Sequence, residues 1–448
     1  MNKKKFEIGE EGIYDASVLG APRMMVLGFQ HMFAMFGATV LVPVLTGLSV
    51  SATLLFAGLG TLLFHLLSKG MVPAFLGSSF AFLAGYAAIA PNKEPELLPY
   101  ACFGVACSGI LYIILAALFK FCGSNKVMRF FPPIVTGPII IAIGLTLSPS
   151  AINNCNSNWW IALLAIAVII IANIWGKGMV KIIPILLGVI VSYAVAAVTG
   201  NVDFSAVKDA AWFGMPFHMK NTVFGIFAGE VDTGLLIAAA ITIVPIALAT
   251  MVEHIGDMCA ISSTCNRNYL SNPGLHRTLL GDGLATMMAS LFGAPANTTY
   301  GENTGVLALS KVYDPKVIRI AAVLAVLFSF CPKFSALISS MPQATIGGVS
   351  LVLYGMISAV GVRNVVDNKV DFTLSRNVII AALILVLSIG IAYSNMGAVC
   401  FTIGEITIKL SGLAVGAVVG ILLNAILPGN DYHFGDDLQG DTSVDFSV

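Results

Sequence analysis

The 448-residue chain is 57% hydrophobic and 10% charged, with 23 basic and 23 acidic side chains and a formal net charge of zero. A soluble globule carries charge on about a quarter of its residues, so this composition excludes one and points to an all-α polytopic membrane protein. Eight scattered cysteines without a CxxC pair imply neither a disulfide framework nor a metal site.

In chain order, the mixed-charge start MNKKKFEIGEEGIYD lacks the apolar core and cleavage site of a secretory signal, so residues 1–23 read as a cytoplasmic tail. Apolar windows near 20 residues, split at Gly, Pro and charge, predict spans at 24–45, 52–68, 72–89, 100–121, 132–148, 159–175 and 179–199. A more polar loop, 200–232, follows. Seven further spans are expected at 234–257, 278–294, 296–310, 316–338, 343–361, 377–394 and 400–427, before an acidic tail from 428 to 448. With the N-terminus inside, Lys and Arg divide 18 to 4 in favour of the inner side, with Lys409 left in the last span. Both termini are then cytoplasmic and loop 200–232 is extracellular.

Fourteen spans divide into two sevens, and an odd number requires the two repeats to be inverted. The third span of each half is short and interrupted: VPAFLGSSFAFLAGYAAIA from Val72, and NTTYGENTGVLALSK from Asn297 to Lys311. About 15 residues of helix reach only roughly 22 Å of a roughly 30 Å hydrocarbon core. Some of the stretch must be extended, which is tolerated at membrane depth only where it is buried in protein or lines a cavity. Matching broken segments point to a midplane binding site, where two half-helix N-termini offer free N–H groups. A pair of merely kinked helices is the alternative reading.

Carboxylates inside spans are costly and by default functional. Glu302 lies in the second broken stretch. Glu253 and Asp257, in TMVEHIGDM, are four apart and share a helix face, with His254 beside them. They either end a helix at the cytoplasmic water or, with the window set at 241–263, put Glu253 near mid-membrane; the continuing weakly polar run favours the second. Asp282 reads equally as an interfacial cap or a buried group. Glu405 and Lys409 are spaced for a structural i,i+4 ion pair. His31 and His65 read as helix-to-helix hydrogen bonds, with His31 raised by Gln30 and the small residues Ala34, Gly37 and Ala38. Two carboxylates near a broken-helix site can hold N–H groups of a planar ligand and exchange protons with water. Phe80 and Tyr300 offer a flat wall, so the set suits a small heteroaromatic substrate.

The segments QHMFAMFGATVLVPVLTG (30–47), PAFLGSSFAF (73–82), EHIGD (253–257), NPGLHR (272–277), NTTYGENTGV (297–306) and GGVSLVLYG (347–355) resemble the nucleobase-ascorbate transporter family, and within it the bacterial uracil permeases. In the signature Glu302-Asn303-Thr304-Gly305, Glu at the first place resembles the uracil subgroup, whereas Gln is usual in xanthine and urate carriers. The resemblance implies a secondary active transporter importing uracil with protons. A core domain (24–121 and 233–338) would move against a gate domain (132–199 and 343–427) in an elevator motion, and a homodimer is implied. Carried onto matching positions, it implies that Glu253 and Glu302 hydrogen-bond the pyrimidine with backbone help at Phe80 and Gly301. Phe80 and Tyr300 would line the pocket, Tyr354 would approach from the gate, and Glu253, Asp257 and His31 would serve proton coupling. Asp257 departs from those uracil permeases that have His there, so a proton path through a histidine does not transfer. No cofactor, metal or nucleic-acid partner is expected. The rivals are a purine permease of the same fold and an anion channel-like protein; no HExxH, Ser-base pair or metal cluster supports an intramembrane enzyme.

Overall fold

The computed structural model describes residues 12–403 and 406–429, and all side chains there except 125, 302, 403, 406 and 407. The chain is predominantly helical. Among the described residues seven helices are long and apolar enough to cross a membrane: Ala21–Thr46, Val50–Leu67, Leu98–Cys122, Pro133–Cys155, Thr233–Cys265, Gln343–Asp367 and Ser375–Ala392. An eighth results if Pro315–Ser329 and Pro332–Ser339, bent by 89°, count as one. Shorter apolar helices run over Trp159–Ile174, Pro184–Val198 and Gly412–Ile426, and a Gly-rich helix over Leu275–Leu291. Large apolar side chains such as Leu66, Phe121, Trp160, Val198 and Val386 stand exposed on the outside, as suits a surface solvated by lipid rather than water.

Helix Pro133–Cys155 lies along helix Gln343–Asp367, and glycine permits the close approach. A Cβ at Gly144 would stand 2.2 Å from the Tyr354 carbonyl oxygen, so the backbones meet as small residues allow in membrane bundles. The helix expected at 234–257 instead continues to Cys265, tightened into a 3₁₀ turn at Val244–Ile246 around Pro245. Glu253 and Asp257 are therefore interior to the helix, not at its end.

The two short stretches both combine strand and helix. Strand β1 (Leu76–Ser78) is followed by helix Leu83–Ile89, and strand β2 (Asn297–Thr299) by helix Gly301–Ser310. The strands pair antiparallel, Leu76 opposite Thr299 and Ser78 opposite Asn297. Each strand thereby satisfies backbone groups of the other, as buried extended chain requires.

Two expectations are corrected, and one reading left open is settled. The stretch expected as the start of a last span at 400–427 is a hairpin of β3 (Ala398–Ile403) and β4 (Ile406–Ser411), and helix begins only at Gly412. Lys409 sits on β4 opposite Cys400, so the helical pairing with Glu405, which lies outside the described residues, does not arise. The physical reason is β-branched, alternating composition, Val399, Thr402, Ile403, Ile406, Thr407 and Ile408. Asp282 is not an interfacial cap: it lies mid-helix and fully buried.

Residues 12–20, within the stretch expected as a tail, pack as a strap against the rest of the chain. Ile13 donates to the Lys311 carbonyl at 2.7 Å and accepts from the Tyr313 N–H at 2.8 Å. The Tyr14 ring stacks under the Arg267 guanidinium at 4.1 Å, and the Ala16 N–H donates to Asp314 Oδ2 at 2.7 Å. Hydrogen bonds from Ser17 and Lys316 hold the Asp15 carboxyl down at about 2.

Candidate substrate site

Around the paired strands the sequence leaves little room for error. Gly77 has no Cβ where one would meet the Tyr300 ring at 2.4 Å and Thr39 Oγ1 at 2.6 Å. The Tyr300 hydroxyl crosses to donate to the Ser78 carbonyl at 2.9 Å. The ladder is extended at both ends, by Ser79 N–H to the Ala296 carbonyl at 2.8 Å and Tyr300 N–H to the Phe75 carbonyl at 3.1 Å. Phe80 and Gly301 follow directly, so the pair fixes the two points where extended chain gives way to helix.

Those points border a cavity of about 350 Å³, within the range of small-molecule sites. One wall is Phe80, Thr299, Tyr300 and Gly301 with Thr304 and Gly305; a second is Glu253, Asp257 and Cys259 from the 247–265 helix. A Cβ at Gly301 or Gly305 would meet nothing within 4 Å, so one face of that helix is bare backbone toward open space. A third wall is largely apolar, Met356, Ile357 and Val360 with Phe131 and Ile140, with Thr136, Asn364 and Asn368 as its polar members, and Arg363 and Asp367 stand in it paired at 3.1 Å.

Of the residues expected at the site, Phe80, Glu253, Asp257, Tyr300 and Gly301 converge on this cavity. Glu302 is the second residue of helix Gly301–Ser310; its side chain is outside those described. Tyr354 is fully buried behind Phe80, edge to face at 5.7 Å and 77°, and is not part of the lining. His31 is likewise buried away from it; Asn303 Nδ2 donates to the His31 carbonyl at 3.1 Å and lies 3.3 Å from His31 Nδ1. Thus Asn303 joins the second broken stretch to helix Ala21–Thr46.

Two contacts were not anticipated. Thr299 Oγ1 donates to Asp257 Oδ2 at 2.6 Å, tying β2 to the carboxylate helix. His254, turned away from the cavity, puts Nδ1 3.1 Å from Asp282 Oδ2, both side chains fully excluded from solvent. The signal for the second was present, a Glu-His pair and an Asp each inside an apolar window, but spacing across two helices does not reveal partners. Among the described residues no group of three or more His, Cys, Asp or Glu side chains is arranged to hold a metal ion.

The comparisons with known proteins agree with this architecture. The family model described as "Permease family" (Xan_ur_permease) matches residues 22–397. The uracil permease of Bacillus caldolyticus is 41% identical over 426 residues, covering 93% of this chain and 94% of its own. That of Escherichia coli K12 is 37% identical over 411 residues, covering 89% and 90%. Among solved structures, the transmembrane domain of the cyanobacterium bicarbonate transporter BicA aligns with a TM-score of 0.56 at 15% identity, over 92% of this chain and 99% of that one. SLC26A9 aligns at 0.64 and 14% identity, over 92% and 66%; at such identities these two show a shared fold alone. A family match across most of the chain, with relatives 37–41% identical over about nine-tenths of it, means that this chain belongs to the nucleobase-ascorbate permease family, on the branch of the bacterial uracil permeases.

Proposed function

We propose that this protein carries uracil into the cell together with protons, by movement of a core domain (24–121 and 233–338) against a gate domain (132–199 and 343–427). The observation that carries the reading is the cavity itself: two carboxylates, Glu253 and Asp257, on one wall, bare helix backbone at Gly301 and Gly305 on another, and a largely apolar third wall. Uracil is a flat ring with two N–H donors and two carbonyl acceptors. A carboxylate accepts N–H, and the free N–H groups of a helix start donate to a carbonyl. Phe80, backed by Tyr354, supplies a rigid aromatic surface for the ring, and Glu302, at the same helix start, orients it. Named uracil permeases near 40% identity support that cargo.

In this reading the seven long helices, the bent pair, the three shorter helices, Leu275–Leu291 and the two strand-and-helix stretches make fourteen crossings in two inverted sevens. The antiparallel β1 and β2, one from each half, support that symmetry. Both termini are cytoplasmic. Glu253 takes up a proton from outside and releases it inside, with Asp257 held beside it by Thr299. An anion cargo is disfavoured because two carboxylates in one cavity repel it.

Uptake of labelled uracil into proteoliposomes, with and without an inward pH gradient and with excess xanthine, tests the reading. Accumulation that needs the gradient and ignores xanthine is expected; xanthine transport without uracil transport would reject the cargo while leaving the family intact. A second result reports on the cavity. In a variant whose other seven cysteines are serine, maleimide modification of Cys259, on the cavity wall, blocks uptake. Uracil at ten times its Kd slows that modification about tenfold, since only empty sites react. Modification at an unchanged rate would move the uracil site elsewhere.

A further inference from the structure

A second cavity, about 530 Å³, lies away from the carboxylates. It is a notch between the first turns of helix Ala21–Thr46, the short helix Met179–Ile182 and the end of helix Gly301–Ser310. Its polar lining is Arg23, Lys181, Gln30 and Ser310, with no acidic residue among the lining side chains. Neither Arg23 nor Lys181 makes a hydrogen bond or ion pair within the described residues, and Lys181 is half-buried. The rest of the lining is apolar, and Val26 and Leu309 continue outward as exposed surface, joined beyond the notch by Met25 and Phe29.

Two uncompensated cations at the head of an apolar groove are the complement of one kind of molecule, an anion attached to hydrocarbon. We infer that this notch binds an anionic glycerophospholipid, its phosphodiester between Arg23 and Lys181 and an acyl chain along Val26 and Phe29. Basic pockets between membrane helices recognise lipid headgroups in this way. Free phosphate would gain the charge contact but not the apolar one. Arg23 and Lys181 also belong to the inner-side basic set, the side where anionic lipids give the leaflet its negative surface potential. Because Arg23 stands in the first turn of the first core helix and Lys181 on a gate element, the bound lipid bridges the two parts proposed to move, and its departure accompanies their separation.

Trp175 is exposed close in sequence to Lys181, which supplies a local probe. In the full-length protein with Trp159, Trp160 and Trp212 replaced by Phe, phosphatidylglycerol with brominated acyl chains should quench Trp175 more than brominated phosphatidylcholine at equal mole fraction. Arg23→Gln with Lys181→Gln should lower the apparent affinity for the anionic lipid about 30-fold, from the attraction of each basic residue for an anionic surface. Arg23→Lys with Lys181→Arg should retain it, which separates lost charge from lost folding. Equal quenching by the two lipids, or an excess that survives in the double Gln variant, would overturn the assignment. Displacement of the lipid by millimolar inorganic phosphate at fixed ionic strength would also overturn it, in favour of a site for the phosphate group alone.

Discussion

Glu253→Gln should end uphill transport while leaving uracil bound. Proteoliposomes carrying the wild-type protein are expected to concentrate uracil up to about tenfold per unit of pH gradient, the limit for one proton per substrate. Those carrying the variant should bring the inside and outside concentrations only to equality, whatever the gradient. The amide keeps the size of the carboxylate and a carbonyl that still accepts from a ring N–H, but it cannot take up and release a proton. The position is suited to that role, because Glu253 lies in the interior of a membrane helix and opens onto the cavity, where an ionisable group is costly to keep without use. Binding by calorimetry and counterflow exchange of labelled for unlabelled uracil should both survive. A variant that still concentrates uracil along the pH gradient would remove Glu253 as the proton carrier and turn attention to Asp257, one turn further along the same face.

Gly77→Val is expected to be nearly as damaging without touching a titratable group. Its new Cβ would have to occupy space 2.4 Å from the Tyr300 ring and 2.6 Å from Thr39 Oγ1. Neither neighbour is free to yield: Tyr300 is tied to the Ser78 carbonyl, and the Ser78 hydroxyl in turn donates to the Thr39 carbonyl at 3.1 Å. Overpacking of this kind costs on the order of 1–3 kcal/mol, and here the strain falls on the strands that aim Phe80 and Gly301. Thermal melts in detergent should shift down by several degrees and transport should be lost. Gly390→Ala, where a Cβ meets nothing within 4 Å, serves as the silent control. Full transport by Gly77→Val would show that the strand pair is not what holds the cavity in shape.

Much of this site was legible in residues because membrane burial makes polar groups conspicuous. Glu253, Asp257 and the stretch from Asn297 stand out against apolar windows, and the latter is too short for a helix to cross with. The register of β1 on β2 was not legible, since three-residue strands carry no period of their own and their partner is remote in sequence. The same holds for Asp282, whose burial depends on His254 arriving from another helix. The hairpin at 398–411 is different: Val399, Phe401 and Ile403, then Ile406, Ile408 and Leu410, alternate with period two. Hydropathy averaged over a span-length window hides that alternation. The 89° bend after Ser329 had its mark in Pro332, which has no N–H to continue the helix. Tyr354 was expected at the cavity because the family resemblance implied it, but the rotation of helix Gln343–Asp367, which sequence spacing does not set, turns it behind Phe80.

The pairing of Leu76 with Thr299 also bears on how the protein is made. Roughly 220 residues separate the partners, which at ribosomal rates is on the order of 10–40 s of synthesis. Through that interval the first half carries a strand that lacks its partner strand: Leu76 is held by Thr61, whose Oγ1 accepts from its N–H at 2.9 Å and lies 3.3 Å from its carbonyl, but the ladder to residues 297–299 is missing in surroundings that penalise unpaired backbone heavily. Residues 76–78 must therefore wait in the insertion machinery, at the interface, or against provisional neighbours until Thr299 emerges. The strap at residues 12–20 waits longer still, because its partners are Lys311, Tyr313 and Asp314. Closure thus comes late and in two steps, the strand pair first and the strap after it, and a nascent chain stalled before Thr299 is one in which the cavity does not yet exist.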